Sequence, residues 1–353
     1  MWQVAAQFYI MGPGRCPKPS HHASTIVQLG PGRGFMAAWF GGQTEGFPDA
    51  SIYTSVFQAS EQQWSSPVQV VASVGEALWN PVLFKMPGGA LYLFFKVGMT
   101  PATWLGGFKK STDDGLTWGP PKLFPEGILG PIKNKPLLLA DGTLLAPSSV
   151  ETPTKTTANL VSGLTGAKVT TEEVWENWVE ATRDIEHSWT NYGPIKNRLG
   201  GRTIQPSLFV DAVGNVRMLA RSSTRHVVMA RSDSLGQNWT EALDTTVPAP
   251  NSGMDAVKLA DGRLLLVHNP LAPRGGPQRG MLSIALSPDD GETWYNGPML
   301  ENSGKEHHEF SYPAVIQAQN GLVHITYTWR RMNIKHVIVD PSQLQMAGKP
   351  MGT

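Results

Sequence analysis

Short apolar runs alternate with glycine-bearing turns along nearly the whole chain. Residues 24–29 and 35–40 flank Gly32, and 91–96 follow Gly88-Gly89. Six units share this form of apolar strand, turn, apolar strand. They open at His22-Ala23-Ser24, Asn80-Pro81, Lys135-Pro136, Gln205-Pro206, Met254-Asp255 and Tyr312-Pro313. Their turns fall at Gly32, Gly88-Gly89, Asp141-Gly142, Gly214-Asn215, Asp261-Gly262 and Asn320-Gly321. Such dipeptides between apolar runs predict β-hairpins. The turns recur at steps of about 56, 54, 72, 48 and 59 residues. A period of that size marks a propeller or solenoid, and four strands fill it. The pattern predicts an all-β, six-bladed β-propeller with four-stranded antiparallel blades.

A second repeat interlocks with the first. Ser287-Pro288-Asp289-Asp290-Gly291-Glu292-Thr293-Trp294 reads as a tight turn closed by an apolar plug. Asp289 can accept backbone N–H groups, and Gly291 can take a positive φ. Residues 111–118 repeat it, 182–189 and 232–239 are eroded copies, and Trp64 is the remnant of a fifth. Asp113, Asp184 and Asp289 are therefore expected to be structural residues at the outer rim.

Residues 1–20 form a lead-in, expected to supply a strand that closes the ring with the last blade. A single propeller domain spans 21–340, and 341–353 form a tail. From 152 to 171 Thr, Gly, Ala and Lys interrupt the rhythm, which predicts a surface insertion. Residues 172–180 fit a short helix or a strand, with strand favoured from Trp178 onward.

Composition narrows the function classes. A formal net charge of +1 makes no electrostatic case for nucleic acid. No apolar run is long enough to insert in a membrane. Gly 37 and Pro 28 suit a turn-rich β chain. With Cys16 alone, no internal disulfide forms, and residues 1–13 do not read as a signal peptide. The compartment stays open, with the lone cysteine leaning toward a cytoplasmic setting. Nothing implies a cofactor. His307-His308 does not read as a metal site, because neighbours on a strand face opposite ways.

A propeller gathers equivalent positions of every blade around one axis. The start of each first strand and the end of each second strand share one mouth, because a hairpin returns to where it began. These positions hold His22, Asn80, Lys133, Lys135, Arg202, Gln205, Asp255, Glu309 and Tyr312, then Trp39, Glu45, Glu151, Arg221, His268, Arg330 and Arg331. A ring of cations and carboxylates suits an acidic, hydroxyl-rich ligand, an acidic carbohydrate. Of Arg330 and Arg331, only one is expected to face inward. Trp39 is a candidate for stacking on a sugar, with core packing the competing role.

The Ser-x-Asp-x-Gly-x-Thr-Trp turn resembles the Asp box, or bacterial neuraminidase repeat, of the sialidase superfamily. His22-Ala23-Ser24-Thr25-Ile26-Val27 with Ala38-Trp39-Phe40-Gly41-Gly42-x-x-Glu45 resembles its predicted-neuraminidase branch. The resemblance covers about residues 20–340. It implies three arginines for the substrate carboxylate, a tyrosine nucleophile paired with a glutamate, and an aspartate acid/base. Tyr312 resembles the nucleophile, with Glu309 as its partner. Arg202, Arg221 and Arg330 or Arg331 are the carboxylate binders, and His22 holds the place of the first arginine. Glu45, Asp255 and His22 all qualify by position as acid/base.

The expected function is a sialidase-like exo-glycosidase acting on a terminal acidic sugar. A uronate-directed polysaccharide lyase and a non-catalytic glycan- or protein-binding propeller are the alternatives.

Overall fold

The computed structural model describes residues 4–12, 14–160, 167–271, 278–305, 307–346 and 348–352, with backbone alone for 154–160 and 167–172. Six antiparallel sheets form the blades of a propeller. Blade one runs outward through Ser20–Gln28, Phe35–Gly42, Ser51–Gln58 and Gln63–Trp64, with Val68–Val71 also on its third strand. Blade two has Leu78–Lys85, Leu91–Val97, Leu105–Ser111 and Lys122–Leu123. Blade three has Leu137–Leu138, Leu144–Leu160, Ala167–Asp184 and Ser188–Tyr192. Blade four has Thr203–Val210, Val216–Ser222, His226–Ser232 and Leu243–Pro248. Blade five has Asp255–Lys258, Leu264–His268, Met281–Ser287 and Tyr295–Asn302. Blade six has Phe310–Gln317, Val323–Trp329 and Asn333–Val339.

The fourth strand of blade six comes from the other end of the chain. Ala6–Tyr9 pairs with it antiparallel, from Ala6 opposite Ile338 to Tyr9 opposite Lys335. The lead-in thus closes the ring, and it covers an edge that would otherwise be open. All six predicted turns join first to second strands.

The inner strands are apolar on both faces because each blade is packed between two others. Phe35–Gly42 is buried at every position. Trp294 is fully buried against Leu264, Leu266, Phe209 and Leu219, sealing blade five to blade four.

The Asp turns behave as read. Asp289 Oδ1 accepts from Thr293 N–H at 2.8 Å and from the Ser287 hydroxyl at 2.9 Å. Gly291 takes φ +91°. The sequence did not reveal what the next aspartate does. Asp290 accepts from Ala212 N–H of blade four at 2.9 Å and pairs with Lys258. Asp114 repeats this toward Gly30 N–H of blade one at 3.1 Å and Lys85. Each rivets its blade to the preceding one.

Blade three has middle strands longer than those of the other blades. Where an insertion was predicted, its middle strands run on as a paired ladder from Leu144 opposite Thr182 to Leu160 opposite Ala167, with a bulge between Pro153 and Lys155. Residues 172–180 lie wholly within that strand. Residues 161–166 of the predicted insertion lie outside the described residues.

Candidate functional site

The ladder pairs His22 with Phe40, Trp79 with Lys96, Ile204 with Arg221, and Phe310 with Trp329. First-strand starts and second-strand ends therefore meet at one mouth. At that level the register slips in blades one, two, four and six. Within these bulges Ala23, Asn80, Gln205 and Tyr312 take φ of +55°, +37°, +55° and +52°. Such bulges re-aim side chains. A proline follows three of the four and disfavours the right-handed helical alternative. A left-handed bulky residue costs on the order of 1–3 kcal/mol and persists only where its surroundings hold it.

Tyr312 is the centre of the mouth. Arg221 Nη1 donates to its phenol oxygen at 2.9 Å and to Gln205 Oε1 at 3.2 Å. Gln205 Nε2 reaches the same phenol at 3.5 Å. The His22 ring lies 4.2 Å from the Tyr312 ring, centroid to centroid. Gly253 lies against the Tyr312 ring, where a Cβ would approach to 3.0 Å. Arg279 and Lys133 stand 5.6 and 5.9 Å from the ring centroid.

His22 is neutral. Burial, then the charges of Arg331, Arg279, Lys133 and Arg221, hold its pKa well below the usual imidazole value. Its Nδ1 bonds Thr328 Oγ1 at 2.8 Å, while its buried Nε2 has no partner among the described residues. The buried Nε of Arg221, Oγ of Ser148 and Ser252, and Nδ1 of His268 share that condition.

Glu309 does not hydrogen-bond to Tyr312. It accepts from Arg279 at 3.0 Å, from Arg331 at 2.8 and 3.2 Å, and from Ser311 at 2.6 Å. Burial works to raise its pKa, but the Arg331 hydrogen bond and the charges of Arg331 and Arg279 outweigh it, and the net shift is downward. The carboxylate is thus an anchor for two guanidiniums. Arg331 also donates to Glu45 at 2.7 Å, linking blade six to the loop of blade one. Arg330 instead stacks on Trp329 at 5.0 Å, so Arg331 is the inward member of the pair.

Above this level, Arg202 and Arg221 lie 4.7 and 5.5 Å from the Trp175 ring. The indole N–H is held by Glu173 at 3.0 Å. Glu151 stands directly across the ladder from Trp175.

Below it, the polar ring is consumed by internal bonds. Asp255 accepts from Lys135 at 2.8 Å, Ser207 at 2.8 Å and Val315 N–H at 2.9 Å, joining blades three to six. Lys133 Nζ bonds Asn134 Oδ1 at 2.8 Å, the Met254 carbonyl at 3.0 Å, and the Pro313 carbonyl. Burial lowers its pKa to about 7. Asp255, Lys133 and Lys135 are clamps of the axis rather than lining of the mouth. Trp39 is fully buried with its N–H on His21 at 3.0 Å, a packed residue rather than a sugar platform. Asn80 is buried, and burial lowers the pKa of His268 to about 4.

Of the positions at strand starts and ends, the fold brings together Tyr312, Arg221, Gln205, His22, Glu309, Arg331, Glu45 and Arg202. Arg279, Gly253 and Trp175 join them from positions outside that pattern. Arg279 sits just before a third strand, Met281–Ser287, and not at a first-strand start or second-strand end. Trp175 lies just beyond 152–171, where the sequence breaks the blade rhythm. A rim cleft between blades four and five, lined by Arg231, Leu243, Asp244 and Glu292, belongs to a different surface.

Residues 33–325 match the BNR repeat-like domain family. No curated protein matches the chain by sequence. Among solved structures, a protein of unknown function from Dyadobacter fermentans superposes with a TM-score of 0.72 at 14% identity, covering 98% of this chain and 99% of that one. The intramolecular trans-sialidase from Ruminococcus gnavus, solved with oseltamivir carboxylate, gives 0.70 at 11% identity, covering 98% and 99%. The K499G mutant of the NanB sialidase from Streptococcus pneumoniae gives 0.68 at 11% identity, covering 96% and 71%. The chain belongs to the BNR repeat-like domain family, built on the six-bladed propeller that these sialidases share.

Proposed function

We propose that this protein is a sialidase-type exo-glycosidase that releases a terminal carboxylated sugar from a glycan. The observation that carries this reading is the Arg221–Tyr312 contact at 2.9 Å, with Arg279 beside the same ring. A carboxylate is held best by forked guanidinium donors. Arg221 Nε is unpartnered among the described residues, and Glu309 presents Arg279 and Arg331. A carboxylated sugar seated on these groups brings its anomeric carbon toward the Tyr312 oxygen.

Gln205, not a carboxylate, neighbours the phenol. An amide does not take up a proton. In this reading Tyr312 sets an oxygen lone pair against the positive charge that develops at the anomeric carbon, and Arg221 orients it.

One observation favours a second reaction on the same substrate class. Neutral His22, its ring against Tyr312 and its Nε2 unpartnered among the described residues, is suited to abstracting the proton beside a uronate carboxylate. That step would begin an elimination.

The experiment is turnover of fluorogenic sialosides and uronides by the wild type and Tyr312→Phe. The glycosidase reading expects release of the free acidic sugar and a loss on the order of 100-fold in the variant. Unchanged turnover in the variant removes the role of Tyr312. Product absorbing in the ultraviolet as an unsaturated uronate selects elimination. Glycan binding without any product rejects both reactions in favour of a binding propeller.

A further inference from the structure

Glu151 lies on Leu144–Leu160 and is paired with Trp175. Directly opposed residues of an antiparallel pair project from the same face, with Cβ atoms about 5 Å apart. The Glu151 carboxyl therefore shares the face of the Trp175 ring. That ring meets Arg221 at 5.5 Å, and Arg221 holds the Tyr312 phenol at 2.9 Å. One guanidinium thus connects the side of the mouth that carries Glu151 to the phenol at its centre.

The other acids of the mouth are engaged. Glu45 is bound by Arg331, Glu309 by Arg279 and Arg331, and Glu173 by the Trp175 indole; Asp255, below the mouth, is held by Lys135, Ser207 and Val315. Glu151 is half-buried and has no hydrogen-bond partner among the described residues. Burial raises its pKa, and the nearby charges of Glu173 and Glu45 add to this against Arg221 and Arg202. A carboxyl in such surroundings tends to keep its proton.

We infer that Glu151 is the proton donor to the departing oxygen when the glycosidic bond breaks, a role that rests on the glycosidase reading above. The aglycone lies over Trp175 and Arg202, which brings the glycosidic oxygen to Glu151. The carboxyl proton passes to that oxygen. The bond from oxygen to the anomeric carbon breaks, its electron pair stays on oxygen, and the aglycone leaves as an alcohol. Water adds to the anomeric carbon and returns a proton to the Glu151 carboxylate. Atoms and charge balance, and nothing is oxidised.

The test compares wild type with Glu151→Gln on two glycosides of one acidic sugar. One carries a nitrophenyl group, which departs without protonation; the other carries a sugar alcohol, which does not. The expected loss is on the order of 100-fold or more on the sugar-linked substrate and below about 10-fold on the nitrophenyl one. The basic limb of the kcat/KM pH profile should also vanish, and Glu151→Asp should restore part of the rate on the sugar-linked substrate. Equal losses on both substrates, no loss on either, or a retained basic limb overturns the role while leaving the glycosidase reading intact. A wild type inert on both substrates overturns the glycosidase reading and this role together.

Discussion

Arg221 of blade four and Tyr312 of blade six, 91 residues apart in the chain, meet through a 2.9 Å hydrogen bond. The same Nη1 reaches Gln205 at 3.2 Å. Lysine can supply the charge but not the planar fork that spans phenol, amide and substrate. Arg221→Lys should therefore lower kcat/KM for an acidic glycoside by about 10- to 100-fold, the range for losing a charge-assisted hydrogen bond. Steady-state kinetics beside a melting curve checks this, and a loss matched by a collapse in Tm would contradict it.

Glu309→Gln separates two roles for one carboxylate. As the anchor of Arg279 and Arg331, it acts on binding, so the variant should raise KM about 10-fold and leave the acidic limb of the kcat profile in place. If Glu309 were the base for Tyr312, kcat would fall and that limb would disappear.

Asp255→Ala tests the axis clamp. It removes the partner of Lys135 and Ser207 and strands the buried Val315 N–H. Breaking a buried pair on one side costs about 3–5 kcal/mol. Denaturant unfolding should show that loss, with Asp255→Asn losing less. An unchanged midpoint would place Asp255 back among residues free to act on substrate.

Buried histidines predict acid sensitivity. Burial depresses His21, His268 and His324 to about 4, and holds His22 and His336 well below the usual value. In the unfolded chain these groups take up protons near pH ~6.5. The unfolded state thus binds more protons through the interval between about 6.5 and 4, and stability falls as pH falls through it. Tm should decline steadily as pH falls from about 6.5 toward 4. A Tm flat until below pH 4, where the carboxylates protonate, would refute this.

Trp294→Ala leaves a large void between blades four and five and should cost about 3–5 kcal/mol without touching the mouth. Any residual folded fraction should keep wild-type affinity for an acidic sugar, measured by calorimetry on the soluble protein.

The sequence by itself determined the number of blades, their hairpins and their Asp turns. Each of these depends on local chemistry: apolar runs of strand length, glycine where φ is positive, and an aspartate that caps its own turn. It also carried most of the mouth, because a repeated fold converts equivalent positions into neighbours. Tertiary structure alone decided what each polar residue does there. Asp255 and Glu309 look alike in the chain, yet one is locked among four blades and the other grips two arginines. Arg279 and Trp175 entered the mouth from elements that the repeat does not count. Which carboxyl remains free to hold a proton depends on contacts between distant blades, and no local pattern records those contacts.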